Sequence, residues 1–292
     1  MGLPVEIFRN VRRIELATKK IVNNLFSGEY HSVFKGQGME FDEVREYQYG
    51  DDIRMIDWNV TARTGSPHIK KFCEERELTV MLMVDASGSG DFGTGEQMKG
   101  QMAVEICALL AFSAIKNNDR VGLIIFTDRV EKYVPPRKGR SHVLRVIREL
   151  LYFKPEGRGT DIGNALDYMN KVIRRRSVVF VISDFLDNHW ERPLQVANKK
   201  HDAVAIAICD QREKELPDVG LIELEDAETG EILLIDTSDS ELRRAFAKEA
   251  FVASKEREKI FKKRDVDFVE ISTDRSYVDP LVRFFRKRAS MM

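Results

Sequence analysis

Asp85, Ser87 and Ser89 stand at alternate positions directly after the apolar run Val80-Met81-Leu82-Met83-Val84. A carboxylate at the end of a buried strand has lost its water and needs a compensating charge. Two hydroxyls at alternate positions bring neutral oxygens toward the same point. The run Val178-Val179-Phe180-Val181-Ile182-Ser183 delivers a second carboxylate, Asp184, and Gly157-Arg158-Gly159-Thr160-Asp161 offers the Thr160 hydroxyl in a glycine-hinged loop. Asp85, Ser87, Ser89, Thr160 and Asp184 are hard oxygen donors suited to Mg²⁺, with Mn²⁺ as the alternative. An ion held mainly by hydroxyls stays electrophilic, and a carboxylate from another protein would complete its shell. The competing reading of Asp-x-Ser-x-Ser alone is a strand-to-helix turn whose serines cap the helix.

Catalytic readings of these residues fit less well. A haloacid-dehalogenase-type phosphatase needs a second acid two residues after the first, where this chain has Ser87. Neither serine sits in a Gly-x-Ser-x-Gly frame, and His31, His68, His142, His189 and His201 form no His-Glu-x-x-His pair. No Gly-x-x-x-x-Gly-Lys-Ser/Thr loop is present. The expectation is a binding protein and not an enzyme; a metal-dependent phosphoesterase using the same aspartates is the alternative.

Those donors must be positioned by a sheet. β-rich runs at Thr79–Val84, Val121–Phe126, Val178–Ile182, Ala203–Cys209 and Val266–Ile271 alternate with helical patterns at Glu96–Lys116, Ser141–Leu151, Ile162–Arg174 and Glu191–Lys199. Alternation requires crossover connections, so an α/β doubly wound, mostly parallel sheet with helices on both faces is predicted over residues 78–292. In such sheets ligands gather beyond the carboxyl ends of the strands, where Asp85 and Asp184 fall. Leu221–Glu225 and Glu231–Ile235 flank Asp226-Ala227-Glu228-Thr229-Gly230 and predict an inserted hairpin near 220–236. A charged helix from Ser240 to Lys263 then returns to the sheet. Apolar residues from Val5 to Phe26 recur at helical spacing, so residues 1–35 carry an amphipathic helix. It packs on its own domain or serves a partner or membrane surface.

Composition narrows the partners. The 292 residues are 43% apolar, enough for a sizeable core, and 47 basic against 48 acidic residues leave a net charge of −1. No global field draws the chain to nucleic acid. The basic runs Arg174-Arg175-Arg176 and Arg286-Lys287-Arg288 follow helical patterns, where cations complement a helix C-terminus. Cys73, Cys107 and Cys209 are far apart and form no Cys-x-x-Cys pair, which fits a reducing cytoplasm. No apolar run is long enough for an integral membrane segment, and no signal-peptide layout opens the chain.

Residues 36–77 have a different texture, with dense opposite charges and aromatics, and predict a small β-rich subdomain of short strands and loops packed on the main domain. Two roles are open to it. Its charges and aromatics stitch the subdomain to the sheet, or Arg45, Arg54, Trp58 and Arg63 form a partner-binding surface. The segments Glu40-Phe41, Arg45-Glu46-Tyr47, Gly50-Asp51-Asp52-x-Arg54-x-Ile56-Asp57-Trp58 and Thr61-Ala62-Arg63 resemble the signature of the bacterial family catalogued as domain of unknown function 58. Asp119-Arg120-Val121-Gly122-Leu123, Pro136-Arg137-Lys138-Gly139-Arg140, Gly159-Thr160-Asp161, Ile182-Ser183-Asp184-Phe185 and His201-Asp202 extend the likeness nearly to the C-terminus. The Asp-x-Ser-x-Ser set likewise resembles the metal-ion-dependent adhesion site of von Willebrand factor A domains. The resemblance implies a von Willebrand factor A-like domain and an adaptor that works with a MoxR-type AAA+ ATPase on a client protein, in a chaperone-like or complex-maturation role. Family members often carry methionine directly after the second serine, where this chain has Gly90.

Overall fold

Parallel strands buried on both faces read as continuous apolar runs, and five such runs build the centre of this protein. The computed structural model describes residues 5–22, 39–74, 77–93 and 98–290. Proximity along the backbone divides the chain into two units, Phe34–Leu78 and the remainder.

In the larger unit, β3 (Thr79–Asp85) lies between β4 (Arg120–Phe126) and β6 (Val178–Ser183), all parallel. β7 (Asp202–Cys209) and β10 (Asp267–Ser272) continue the sheet beyond β6, and β5 (Val130–Arg137) closes the other edge antiparallel to β4. The order β10-β7-β6-β3-β4-β5 places β3 and β6, the strands that carry the two aspartates, side by side. This is the doubly wound, mostly parallel sheet that the alternation of strands and helices predicts. The sequence runs omit β5, because Pro135, Pro136 and mixed charges hide its period. An edge strand tolerates such residues, and its pairing with β4 is irregular in two places.

Helix α3 (Lys99–Lys116) follows β3 and is buried at every position from Met102 to Ala114 except Glu105, so its sequence is apolar around most of its circumference. α4 (Arg140–Leu151), α5 (Ile162–Val172), α6 (Glu191–Lys200), α7 (Ser240–Lys263) and α8 (Val278–Ala289) complete the two layers. The N-terminal helix α1 (Val5–Ile21) lies against α3 and α4, with Val11, Glu15, Thr18 and Val22 buried. Glu15 accepts from Arg140 Nε at 2.6 Å and from Arg12 at 2.8 Å. Burial alone would raise its carboxyl, but the two guanidiniums hold it below the usual range. The helix thus packs on its own unit.

β8 (Leu221–Glu225) and β9 (Ile232–Asp236) pair only with each other, as an antiparallel hairpin between β7 and α7. Among the described residues no helix is long and apolar enough to cross a membrane.

The smaller unit pairs β1 (Met39–Glu46) with β2 (His68–Glu74). Its centre differs from the expected strands and loops, because Trp58–Thr64 is a helix, α2. Asp57 caps it by accepting from Asn59 and Val60 at 2.9 and 3.2 Å, and Gly65 ends it at a φ of 77°. Alternating charge and aromatic residues concealed this cap-to-cap unit.

Candidate metal centre

Parallel register brings the carboxyl ends of β3 and β6 to one edge, with Val84 beside Ile182. Asp85 Oδ1 there accepts from the Ser87 backbone N–H at 2.9 Å, and Oδ2 accepts from Ser183 Oγ at 2.6 Å. The Ser87 and Ser89 hydroxyls lie 3.1 Å apart. Loss of water and the neighbouring charge of Asp184 push the Asp85 carboxyl up to about 6. Among the described residues no basic side chain pairs with it.

Asp184 is buried and accepts from Lys99 Nζ at 3.1 Å and from the Leu186 N–H at 3.2 Å. Lys99 also pairs with Glu213. Burial would lower the ammonium, yet Asp184 and Glu213 hold it above the ordinary lysine range. One cation therefore serves two carboxylates, Asp184 and Glu213. Directly after Asp184, Phe185 adopts a φ of 55°, a left-handed conformation rare for a bulky residue. Edge-on contacts with Trp190 and Phe261, at 5.3 and 5.2 Å, pin that turn.

Thr160 belongs to a separately anchored loop. Glu131 accepts from the Glu156 and Gly157 N–H groups at 3.2 and 2.8 Å and from Thr127 Oγ1 at 3.0 Å. Despite its partial desolvation, those donors hold the Glu131 carboxyl below the usual range. A Cβ on Gly157 would lie 2.1 Å from Asp128 Oδ1 and 2.5 Å from Thr127 Oγ1, so any larger residue would have to displace those side chains. The Arg158 carbonyl accepts from the Gly88 N–H at 2.9 Å, which joins the Thr160 loop to the serine loop. Thr160 Oγ1 itself donates to Glu228 Oε1 at 2.6 Å. A cleft of about 920 Å³ opens beside Asp85 and Ser87, with Leu150, Phe153 and the hairpin residues Glu225 and Ala227 among its walls.

The chemistry of this donor set fits a hard cation. Two carboxylates and three hydroxyls supply oxygen donors only, and the carboxylates outnumber the ammonium that serves them. Among the described residues no group of three or more His, Cys, Asp or Glu is arranged to hold a metal.

Sequence reasoning missed four side chains here: Lys99, Ser183, Glu213 and Glu228. Lys99 carried a signal, because a cation in the first turn of an apolar helix opposes the helix dipole and calls for an acid. Glu228 carried none, since an acidic residue in a turn reads as solvated.

Of the second candidate set, Arg45 makes a bidentate pair with Asp51 at 2.7 and 2.9 Å. Arg54, Trp58 and Arg63 are exposed, Trp58 at 69%.

A family model described as "Protein of unknown function DUF58" matches residues 43–257. A solved structure described as an aerotolerance-related membrane protein from Bacteroides fragilis shares the fold, with a TM-score of 0.50 and 16% identity over 74% of this chain and 100% of that one. The SpRpn10 VWA domain aligns at a TM-score of 0.38 and 15% identity over 70% of this chain and 94% of its own, too loosely to add weight. An uncharacterized protein of Mycobacterium tuberculosis is 35% identical over 281 residues, which cover 95% of this chain and 88% of that protein. A family match spanning both units, together with a relative that follows the chain almost end to end, places this protein in the DUF58 family.

Proposed function

We propose that this protein is a metal-dependent interaction adaptor that works with a MoxR-type AAA+ ATPase in the chaperone-like assembly or maturation of a client. The von Willebrand factor A-like fold and DUF58 membership support a protein-interaction role. The observation that carries the metal dependence is the placement of Asp85 at the end of β3, bonded to the Ser87 N–H and the Ser183 hydroxyl beside the paired Ser87 and Ser89 hydroxyls, with no basic side chain paired to it among the described residues. Ser87, Ser89 and Thr160 would hold Mg²⁺ or Mn²⁺, with Asp85 and Asp184 compensating its charge. When bound, the ion supplies a Lewis-acidic position that a partner's carboxylate fills. The Ser87 and Ser89 hydroxyls pair with each other and with no histidine among the described residues, an arrangement suited to ligation more than to nucleophilic attack. The ATPase partner is drawn from the family resemblance alone.

Calorimetric titration of Mg²⁺ into chelator-treated protein tests the reading, with Asp85→Ala/Asp184→Ala alongside and the AAA+ ATPase present or absent. Loss of both metal and ATPase binding in a double variant that keeps its circular dichroism is the expected result. An unchanged Mg²⁺ affinity in that variant would refute the site. Hydrolysis of a phosphate ester that disappears with Asp85→Ala would replace the adaptor with the phosphoesterase.

A further inference from the structure

The β8–β9 hairpin leaves the main sheet and returns its turn to the edge where the hydroxyls and aspartates gather. Leu221, Ile232, Leu233 and Leu234 on its strands are each more than 60% exposed, so the strands themselves have little to pack against. The turn, in contrast, is tightly placed. A Cβ on Gly88 would lie 2.3 Å from the Ala227 carbonyl oxygen, so the serine loop admits the hairpin only because position 88 is glycine. Asp226 orders the turn by accepting from the Glu228 and Thr229 N–H groups at 2.8 and 3.0 Å, and its carbonyl accepts from Gly230 at 2.7 Å. The residue presented by this construction is Glu228, whose carboxylate receives the Thr160 hydroxyl at 2.6 Å.

We propose that Glu228 is a built-in ligand of the metal site, occupying the position that a partner's carboxylate takes, so that the β8–β9 hairpin is a cap displaced on binding. This rests on the metal-site reading. A hydroxyl that ligates an ion and also touches a carboxylate brings that carboxylate within reach of the ion, and Mg²⁺ or Mn²⁺ accepts it readily. While Glu228 holds that position, a partner's carboxylate must displace it to bind there. A hairpin joined to the body at its base and touching the site through its turn can swing without disturbing the sheet. The partner is thereby defined by chemistry as an acidic segment able to outcompete a tethered glutamate.

The test uses Mn²⁺ as the probe and the full chain, with affinity read by electron paramagnetic resonance and exchangeable water ligands counted by water-proton relaxation. Wild type, Glu228→Gln and Asp85→Ala are compared, and acetate serves as the competing carboxylate. In Glu228→Gln the Mn²⁺ affinity should fall roughly ten-fold. The ion should gain one exchangeable water, and acetate should displace that water at concentrations that leave wild type unchanged. An unaltered water count in Glu228→Gln, with Mn²⁺ binding still lost in Asp85→Ala, overturns the cap and leaves the metal site standing. Wild type that takes up no Mn²⁺ overturns both.

Discussion

Arg45 with Asp51 in the smaller unit joins opposite charges, whereas Asp85 with Asp184 at the edge of the large sheet joins like ones, and the two pairs end in opposite states. Arg45 and Asp51 meet near the surface through two hydrogen bonds, so the acid falls below its usual range and the guanidinium rises. Asp85 and Asp184 share one edge with a single ammonium that Glu213 also claims, and Asp85 is pushed up to about 6. The first arrangement is electrostatically complete. The second is short of positive charge, and that shortage is what the proposed metal would relieve.

The comparison breaks most visibly at Lys99. Replacing Lys99 with Met removes the only cation that Asp184 and Glu213 share among the described residues, and leaves two poorly hydrated carboxylates facing each other. Breaking a buried ion pair from one side costs about 3–5 kcal/mol, and urea unfolding in the presence of a chelator should show a loss of that order. Excess Mg²⁺ should return more stability to Lys99→Met than to wild type, because the ion would supply the missing charge. A loss below about 1 kcal/mol would mean that the edge neutralises itself, and the contrast with Arg45 would collapse.

His201 sharpens the contrast by showing a buried group that escapes the problem by staying neutral. Both of its ring nitrogens are buried with no hydrogen-bond partner among the described residues. Desolvation and then the charges of Lys200 and Arg176 drive the imidazole down to about 4. The unfolded chain takes up a proton near pH 6.5 while the folded one resists until about pH 4, so the unfolded state binds more protons in that window. Stability is therefore complete above pH 6.5 and declines as pH falls toward 4, by about 3 kcal/mol from this residue. The difference in unfolding free energy between wild type and His201→Leu, followed from pH 7.5 to 4, should narrow or reverse by that amount. A pH-independent difference would show that the imidazole takes up its proton in the fold as it does in the unfolded chain.

Much of this architecture is legible in the sequence, because the features that build it are local. The apolar runs before Asp85 and Asp184 mark buried parallel strands, and Asp226-Ala227-Glu228-Thr229-Gly230 between two β-rich runs marks the hairpin. What stays hidden depends on distant partners. β5 is an edge strand whose prolines read as a loop until β4 lies beside it. Asp57 caps α2 inside a block whose alternating charges mask the helix. The donor residues themselves stand out by type and spacing, whereas Lys99, Glu213 and Glu228 gain meaning only once 114 residues separate Lys99 from Glu213 and 68 separate Thr160 from Glu228 without separating them in space.

The smallest expected effect comes from the exposed side of the complete arrangement and separates the two roles open to residues 36–77. Arg54 is exposed; its backbone N–H, at 3.0 Å from Asp52 Oδ1, is what completes the local turn. Arg54→Glu should therefore leave unfolding within about 0.5 kcal/mol of wild type, as surface changes away from caps and cores do. Arg45→Gln removes a side chain that does hold structure, so its stability should drop slightly and the drop should fade as salt screens the lost pair. Trp58 is exposed and free to serve as an aromatic anchor if the block is a contact surface. If Arg54→Glu unfolds like wild type yet loses the AAA+ ATPase in a pull-down, while Arg45→Gln loses a little stability and keeps the ATPase, the block serves as a contact surface. If both variants bind normally and only Arg45→Gln is weakened, the charges of this unit hold the unit together and nothing more.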